Sequence, residues 1–192
     1  MSEKKYLIKK CMLMPNDDKE TSLKEPYDIV KGVASIDYYE SVEDTTISMT
    51  VTFIDVDQVI GRKGITGGEY IDVIVLDGEE DQFEISSKKH KLVLNSVRNM
   101  VTESNKQVAT LEFVSVEALI NETARVNKKF TGNVTQTVKT ILKGDEVTGY
   151  QGIQTKKNLD SDDAANSYSF VGNLRRPFDT IQWLCSKGQS SK

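Results

Sequence analysis

Residues that commonly carry catalytic or metal-binding chemistry are scarce in this sequence. The 192-residue chain has one histidine, one tryptophan and two cysteines. His90 lies between lysines in SKKHKL, with no nucleophile or carboxylate nominated beside it, so an ordinary surface residue is favoured. Cys11 and Cys185 form no CxxC pair, which favours two reduced thiols over a disulfide. These shortages predict a protein that is not an enzyme and binds no metal or cofactor.

Long apolar runs and an excess of positive charge are also absent. No run approaches the roughly 20 apolar residues that a membrane-spanning helix needs. The short apolar patch CMLM near the N-terminus is too brief and interrupted for a signal peptide, which predicts an unexported chain made in the cytoplasm. The net charge of −4 comes from interspersed charges of both signs and argues against a dedicated duplex-binding protein.

Two loops suggest ligand binding but lack the necessary pattern. GRKGITGG, residues 61–68, contains no GxxxxGK[ST], and no long helix follows it, so glycines at tight turns are favoured over a phosphate loop. Its Arg62 and Lys63 remain candidates for contact with an acidic partner. NLDSDDAAN, residues 158–166, lacks the order of an EF-hand and a closing glutamate, which favours a solvated acidic loop.

β-Branched residues are abundant: 19 Val, 14 Ile and 16 Thr make up about a quarter of the chain and favour sheets. TTISMTVTF alternates apolar and polar residues, which predicts a strand with one buried face. YIDVIVLDG and DQFEISS predict a hairpin, and KHKLVLNSVRNMV and KQVATLEFVSV predict two more strands. Residues 27–115 are therefore predicted to form a small, closed or nearly closed antiparallel β-barrel, preceded by an N-terminal arm over residues 1–26.

After residue 115 the apolar period becomes helical. VEALINETARV and NVTQTVKTILKG predict helices, the second with Val134, Val138, Ile141 and Leu142 on one face and Gly144 just beyond its end. A polar loop and the short extended SYSFVGN follow. Residues 116–192 are predicted to form a helical crossover and the start of a second, partial barrel-like domain. The expected fold class is β-rich α+β.

The last helix, starting at Pro177, contains candidate interface residues. Phe178, Ile181 and Leu184 contribute to its apolar side, and Trp183 lies at the flank. Tryptophan is common both at the edge of a core and in contact surfaces, and these two interpretations are about equally favoured. We expect Phe178, Ile181 and Leu184 to face a neighbouring chain or further strands.

Four segments, in this order and spacing, resemble the baseplate hub protein of T-even-type contractile-tailed phages. They are GVASIDYYESVEDTTISMTVTFIDVDQVI, GITGGEYIDVIVLDG, LEFVSVEALINE and RRPFDTIQWLCSKG, and the resemblance spans about residues 30–188. It implies a non-enzymatic virion subunit that forms a trimer of paired barrel-like domains between the hexameric tail tube and the trimeric central spike. Hub proteins continue beyond this last helix, so the resemblance also implies a fragment of a longer hub, or a hub completed by another chain.

Three alternatives remain. One is a tail-tube-like or secretion-spike-like structural protein sharing the barrel. Another is an OB-like nucleic-acid-binding barrel, which the Thr and Ser residues opposite the apolar side of the clearest strand disfavour. A glycoside hydrolase would need two carboxylates across a cleft, and the sequence singles out no such pair. The expected partners are further copies of the chain, tail-tube and spike proteins, with no sequence-specific nucleic acid and no membrane.

Overall fold

The computed structural model describes residues 6–16, 23–56, 58–65, 67–77, 81–103 and 106–190. The chain divides into two compact units, unit 1 (Met1–Val116) and unit 2 (Glu117–Lys192). Unit 1 is an antiparallel sheet, and unit 2 combines helices with a two-stranded ribbon. The predicted β-rich α+β class is therefore confirmed. In the part of the chain that the structure describes, no helix is long and apolar enough to cross a membrane.

Within the described ranges, unit 1 contains eight strands and one short helix. The strands are β1 (Tyr6–Met14), β2 (Tyr27–Asp28), β3 (Val33–Tyr39), β4 (Ser48–Asp55), β5 (Tyr70–Asp77), β6 (Asp81–Ile85), β7 (Leu92–Glu103) and β8 (Lys106–Ser115), and helix α1 spans Val59–Lys63. Their order in the sheet is β2-β1-β5-β7-β8-β4-β3, and β6 pairs with β5 as a hairpin.

The predicted N-terminal arm is wrong for the residues of β1. This strand pairs with β5 along its whole length, from Tyr6 opposite Asp77 to Met14 opposite Tyr70. Cys11 and Leu13 are buried in the core of unit 1. A register shift between Ile8 and Lys10 interrupts the alternation of side chains, which hides the period of two from a reading of the sequence.

The central strands have the predicted inward face. Met49, Val51 and Phe53 of β4 are buried and lie opposite buried Phe113, Leu111 and Ala109 of β8. Side chains on alternate positions of two paired strands point to the same side, so one register places both apolar sets in one core.

A 3-10 turn, Val30–Gly32, connects the two ends of the sheet. Before the turn, the Ile29 N–H donates to the Cys11 carbonyl of β1 over 2.9 Å. After it, Val33 pairs with Phe53 of β4. Among the described residues the hydrogen-bonded order ends at β2 and β3, and the turn contacts both β1 and β4. Unit 1 is thus an open antiparallel sheet whose two ends are linked by this turn, and its closure into a barrel stays a prediction.

Up to residue 190, where the description of the chain ends, unit 2 contains three helices and a short ribbon. They are α2 (Val116–Thr123), which starts at the last residue of unit 1, β9 (Lys129–Phe130), α3 (Val134–Lys143), β10 (Phe170–Val171) and α4 (Pro177–Cys185). β9 pairs with β10, and α3 packs against α4. A core cluster forms from Val126, Phe130, Ile141 and Tyr150, with Phe170 and Ile181 packed against it. The incompleteness of this unit stays a prediction.

Helix α3 starts and ends where the sequence predicts. The Asn133 side-chain oxygen accepts from the N–H groups of Thr135 (2.9 Å) and Gln136 (3.3 Å), and Gly144 follows the last helical residue. The buried face differs from the predicted one: it contains Val134, Thr137 and Ile141, whereas Val138 and Leu142 are half-buried.

Candidate interaction surfaces

Helix α1 presents the two predicted cations of unit 1. The Asp55 carboxylate is fully buried and accepts from the N–H groups of Val59 (2.7 Å) and Ile60 (2.9 Å), which holds the start of this five-residue helix. Gly64 ends the helix with φ 63°. Arg62 and Lys63 are exposed in the last turn, and the Lys63 ammonium lies 5.9 Å from the centroid of the Tyr27 ring.

A shallow groove of about 290 Å³ lies beside the 3-10 turn of unit 1. Tyr27, Lys31, Phe53 and Val59 are among its lining residues. Its lining therefore combines apolar side chains with the charged residues Asp28, Lys31 and Asp55.

The glycine-rich connection forms tight turns and not a phosphate cradle. Gly67 and Gly68 have φ of 136° and 99°, in the region that favours glycine. The Gly68 N–H donates to the Leu94 carbonyl over 2.8 Å, and the Leu94 N–H donates to the Glu69 carbonyl over 2.7 Å. These bonds tie the approach to β5 onto β7, so Gly67 and Gly68 shape the entry to this strand.

Two residues of the predicted interface on α4 lie in the interior instead. Phe178 and Leu184 are 7% and 0% exposed, and the Phe178 N–H donates to the buried Asn121 side-chain oxygen over 2.9 Å. The expectation that both face another chain or additional strands is wrong, because packing within this chain already covers them. The sequence shows an apolar face but not which part of the same chain will cover it.

Trp183 and Ile181 remain partly accessible. The Trp183 ring packs edge-to-face on Tyr168 and Phe170, with centroids 5.6 and 5.3 Å apart. Phe170 stacks on Phe130 at 5.4 Å. Trp183 therefore lies at the rim of an aromatic cluster. Its contact with a partner, and that of Ile181, Arg62 and Lys63, stays a prediction.

Lys128 lies in a cluster formed by two aromatic rings, a carboxylate and a hydroxyl. Its ammonium lies 5.1 and 5.2 Å from the ring centroids of Phe130 and Tyr150, 3.2 Å from the Asp145 carboxylate and 2.7 Å from the Thr148 hydroxyl. Hydrogen bonds from Thr148 and Lys128 hold the pKa of Asp145 below its usual value, and burial raises the pKa of Tyr150 to about 12. The cluster closes the loop after α3 and presents no reactive group.

The other residues considered as catalytic or metal-binding candidates contribute to local structure. His90 Nδ1 accepts the Ser86 N–H over 3.0 Å within a tight turn. The Asp162 carbonyl accepts from the Thr135 hydroxyl over 3.0 Å. Both cysteines are free, and burial raises the pKa of the Cys11 thiol to about 12. Within the described residues, no group of three or more His, Cys, Asp or Glu side chains is placed to hold a metal ion.

Comparison with protein-family models found no match, and comparison with curated proteins found none. Comparison with solved structures found similarity to the E. coli c3393 protein. That protein is a component of the type VI secretion system and exhibits structural similarity to the T4 bacteriophage tail proteins gp27 and gp5. The TM-score is 0.48 at 14% sequence identity, over 95% of this chain and 43% of that chain. The present chain thus spans less than half the length of that structure, and the likeness concerns the fold alone.

Two exposed surfaces were not predicted from the sequence. The acidic loop, Tyr39–Asp44, joins β3 to β4, and the basic turn, Val171–Arg176, joins β10 to α4. Each combines strongly exposed apolar side chains with charges of mainly one sign. The available signals in the sequence were YESVED and VGNLRR, in which an apolar residue lies beside acids or arginines.

Proposed function

We propose that this protein is a structural subunit of a phage tail baseplate hub. In this role it assembles as a homo-oligomer, a trimer, and links the hexameric tail tube to the trimeric central spike. One observation supports the proposal above the others. The segments by which the sequence resembles the hub family occupy framework positions of the fold.

Two of these segments supply buried polar residues to unit 1. FID ends strand β4, and its Asp55 holds the start of α1. GGE precedes β5, and its Glu69 is fully buried while its carbonyl accepts from β7. Buried polar residues that hydrogen-bond to backbone specify local geometry, so this part of the resemblance concerns architecture.

The final segment, RRPFDTIQWLCSKG, forms α4 and the turn after it. Pro177 occupies the first turn of the helix, and Phe178 and Leu184 are buried. A motif made of a helix start and its buried side chains specifies packing and no reaction. The proposed chemistry is accordingly non-covalent, through loop surfaces and strand edges buried between subunits. The proposed location is the virion tail baseplate, after synthesis in the host cytoplasm.

Immunogold electron microscopy of virions from the lysate that contains this protein tests the proposal. Antibodies against the chain are expected to label the distal end of the tail tube, and preincubation with the purified protein is expected to abolish the label. Virions whose baseplates have been opened give the antibodies access to the hub. Tails without label would contradict the proposal.

The same preparations separate the related alternatives. Label along the whole tube would favour a tail-tube protein, and label on a contractile apparatus without a capsid would favour a secretion-spike protein. Absence of label from the tails, together with tight binding of the purified protein to single-stranded oligonucleotides, would favour the OB-like barrel.

A further inference from the structure

The acidic loop presents apolar side chains among carboxylates. Val42 is fully exposed and Tyr39 is 56% exposed. The Glu43 N–H donates to the Ser41 hydroxyl over 3.1 Å, and the Asp44 N–H donates to the Ser41 carbonyl over 3.3 Å, so the backbone forms a turn. The exposed carboxylates of Glu43 and Asp44 make no ion pair with any residue that the structure describes. The loop is therefore an ordered apolar tip with uncompensated negative charge.

The basic turn has the opposite charge. Leu174 and Val171 are 65% and 56% exposed. Lys129 lies directly opposite Val171 in the β9–β10 ribbon, and both side chains are exposed. Arg175 and Lys129 form no ion pair among the described residues, whereas Arg176 lies 3.0 Å from the Glu122 carboxylate. Two apolar side chains are thus displayed beside two unpaired cations.

The backbone of the basic turn holds this display in place. Asn173 and Leu174 both adopt left-handed conformations, with φ of 50° and 57°. The Gly172 N–H donates to the Lys128 carbonyl over 3.0 Å, and the Leu174 N–H donates to the Val126 carbonyl over 2.9 Å. A side chain at Gly172 would overlap Val126, so the turn passes close to the connection between α2 and β9. Leu174 is exposed and adopts a backbone conformation that is unfavourable for leucine, and the surrounding hydrogen bonds hold it there. Backbone strain of this kind is typical of residues that contact a partner or ligand.

We infer that the acidic loop of one copy of this chain docks on the basic turn of a second copy. Each surface has the features that complete the other: exposed apolar side chains and unpaired charges of opposite sign. Complementary charge speeds encounter and fixes orientation, while burial of the apolar side chains stabilises the contact. The inference rests on the proposed function and names the surfaces through which the copies assemble.

The contact joins two different surfaces, one in each unit, and is heterologous. A heterologous contact repeated around a closing rotation produces a ring, as a hub between a tube and a spike requires. Arg62 and Lys63 on α1 belong to neither of the two surfaces.

Charge reversal tests the inference in the full chain. The loop variant carries Glu43→Lys and Asp44→Lys, and the turn variant carries Lys129→Glu and Arg175→Glu. Sedimentation velocity and mass photometry across a concentration series are expected to show association weakened about tenfold or more in each variant. A chain with all four substitutions is expected to regain association to within about threefold of the unmodified protein, since the charges are exchanged.

Mixing provides a second arm that depends on contact between chains. The loop variant and the turn variant each associate weakly alone, whereas their equimolar mixture is expected to form mixed complexes, because each contact between unlike variants joins a loop and a turn of opposite charge. A three-membered ring keeps one contact between like variants, so the recovery in the mixture is expected to be partial. Two reversals of equal kind at other exposed sites, Lys156→Glu and Glu84→Lys, are expected to leave association unchanged. Far-UV circular dichroism and Trp183 fluorescence check that each variant is folded. If the loop variant is not folded, Glu43→Gln replaces it, and if the turn variant is not folded, Arg175→Gln replaces it.

Association of both variants at the unmodified level, or recovery in neither the exchanged chain nor the mixture, would overturn the inference. A protein that is monomeric at about 100 µM, where contacts of even millimolar affinity begin to appear, would also overturn it. Gold label at the tail tip in that case would still support the proposed function, so the two failures are distinguishable.

Discussion

Gly32 ends the 3-10 turn of unit 1, and a single hydrogen atom in place of a side chain permits the close approach to β4 there. A Cβ at this position would overlap the Phe53 ring and lie 2.7 Å from the Ile54 carbonyl oxygen. The φ of this residue is not in the left-handed region, so the requirement is for space alone. A Cβ at Gly61, on exposed helix α1, would meet no atom within 4 Å, so this glycine needs no such space.

This pair of glycines predicts opposite effects of one substitution. Gly32→Ala is expected to lower the free energy of unfolding by about 1–3 kcal/mol, because the Phe53 ring and the β4 backbone have to shift. Gly61→Ala is expected to raise it by up to about 1 kcal/mol, because alanine favours the helix and restricts the unfolded chain. Urea unfolding followed by circular dichroism measures both. Equal effects of the two substitutions would show that the close approach at Gly32 does not contribute to stability.

Polar side chains join secondary-structure elements in both units, and two of these contacts can be tested by substitution. In unit 2, the residue before α4, Arg176, provides no side-chain cap, and Asn121 of α2 accepts from the Phe178 N–H instead. In unit 1, Lys10 of β1 lies 2.8 Å from Asp72 of β5, and Asp72 also accepts from the Ser87 N–H over 2.6 Å. Both contacts connect residues that are distant in sequence.

Loss of the shared cap should destabilise unit 2. Asn121→Ala leaves the buried Phe178 N–H without its acceptor and is expected to cost about 1–2 kcal/mol. Trp183 fluorescence during urea unfolding reports the change, since the only tryptophan lies on α4. Asn158→Ala, at an exposed position of the same unit, is expected to shift stability by less than about 0.5 kcal/mol. A cap that contributes nothing would make the two variants indistinguishable.

The Lys10–Asp72 contact predicts a loss of stability in acid. Burial alone would raise the pKa of Asp72, but hydrogen bonds from Lys10 and Ser87 outweigh it and leave the pKa below the ordinary value of 3.8. Because the folded-state pKa is the lower one, the stabilising contribution is complete above about pH 4 and is lost as the pH falls below it. The free energy of unfolding from pH 6 to pH 3 is expected to fall less steeply for Asp72→Asn than for the unmodified chain.

Asp37→Asn is the matched control for this pH series. Asp37 also lies in a strand of unit 1, is exposed and forms no ion pair among the described residues. Its substitution is expected to leave the slope unchanged. A slope equally reduced in both variants would assign the effect to net charge.

The whole molecule contains two units, each with a core of its own. The core cluster of unit 1 draws on strands across the sheet, on α1 and on the connections between them, and the cluster of unit 2 includes Phe130, Ile141 and Tyr150. A contiguous segment that buries its own apolar side chains meets the main requirement for independent folding. The fragment Met1–Val116 is therefore expected to fold alone.

Circular dichroism of this fragment should show a β-sheet spectrum and one cooperative thermal transition. A fragment ending at residue 103 lacks β8, the strand between β4 and β7, and is the control expected to show no such transition. Absence of a cooperative transition in Met1–Val116 itself would show that unit 2 is needed for the fold of unit 1.

Local periodicity in the sequence was sufficient to predict most elements. Alternation identified β4, β5 and β6 because successive side chains of a strand point to opposite faces, and this pattern is contained within one short segment. Pro177 identified the start of α4 and Gly144 the end of α3, because helix termini have residue preferences of their own. The scarcity of side chains that commonly carry catalytic or metal-binding chemistry was equally visible in the sequence, and it favoured a role for surfaces.

Features that depend on residues far apart in the chain are visible only in the tertiary structure. β1 belongs to the sheet because β5, some 60 residues later, supplies its partner, and its own alternation is interrupted. Phe178 and Leu184 are internal because other parts of the same chain cover α4. Likewise, the acidic loop and the basic turn became recognisable only from exposure and backbone conformation. The sequence by itself determined which segments become strands and helices, and tertiary packing decided which of their faces remain available to a partner.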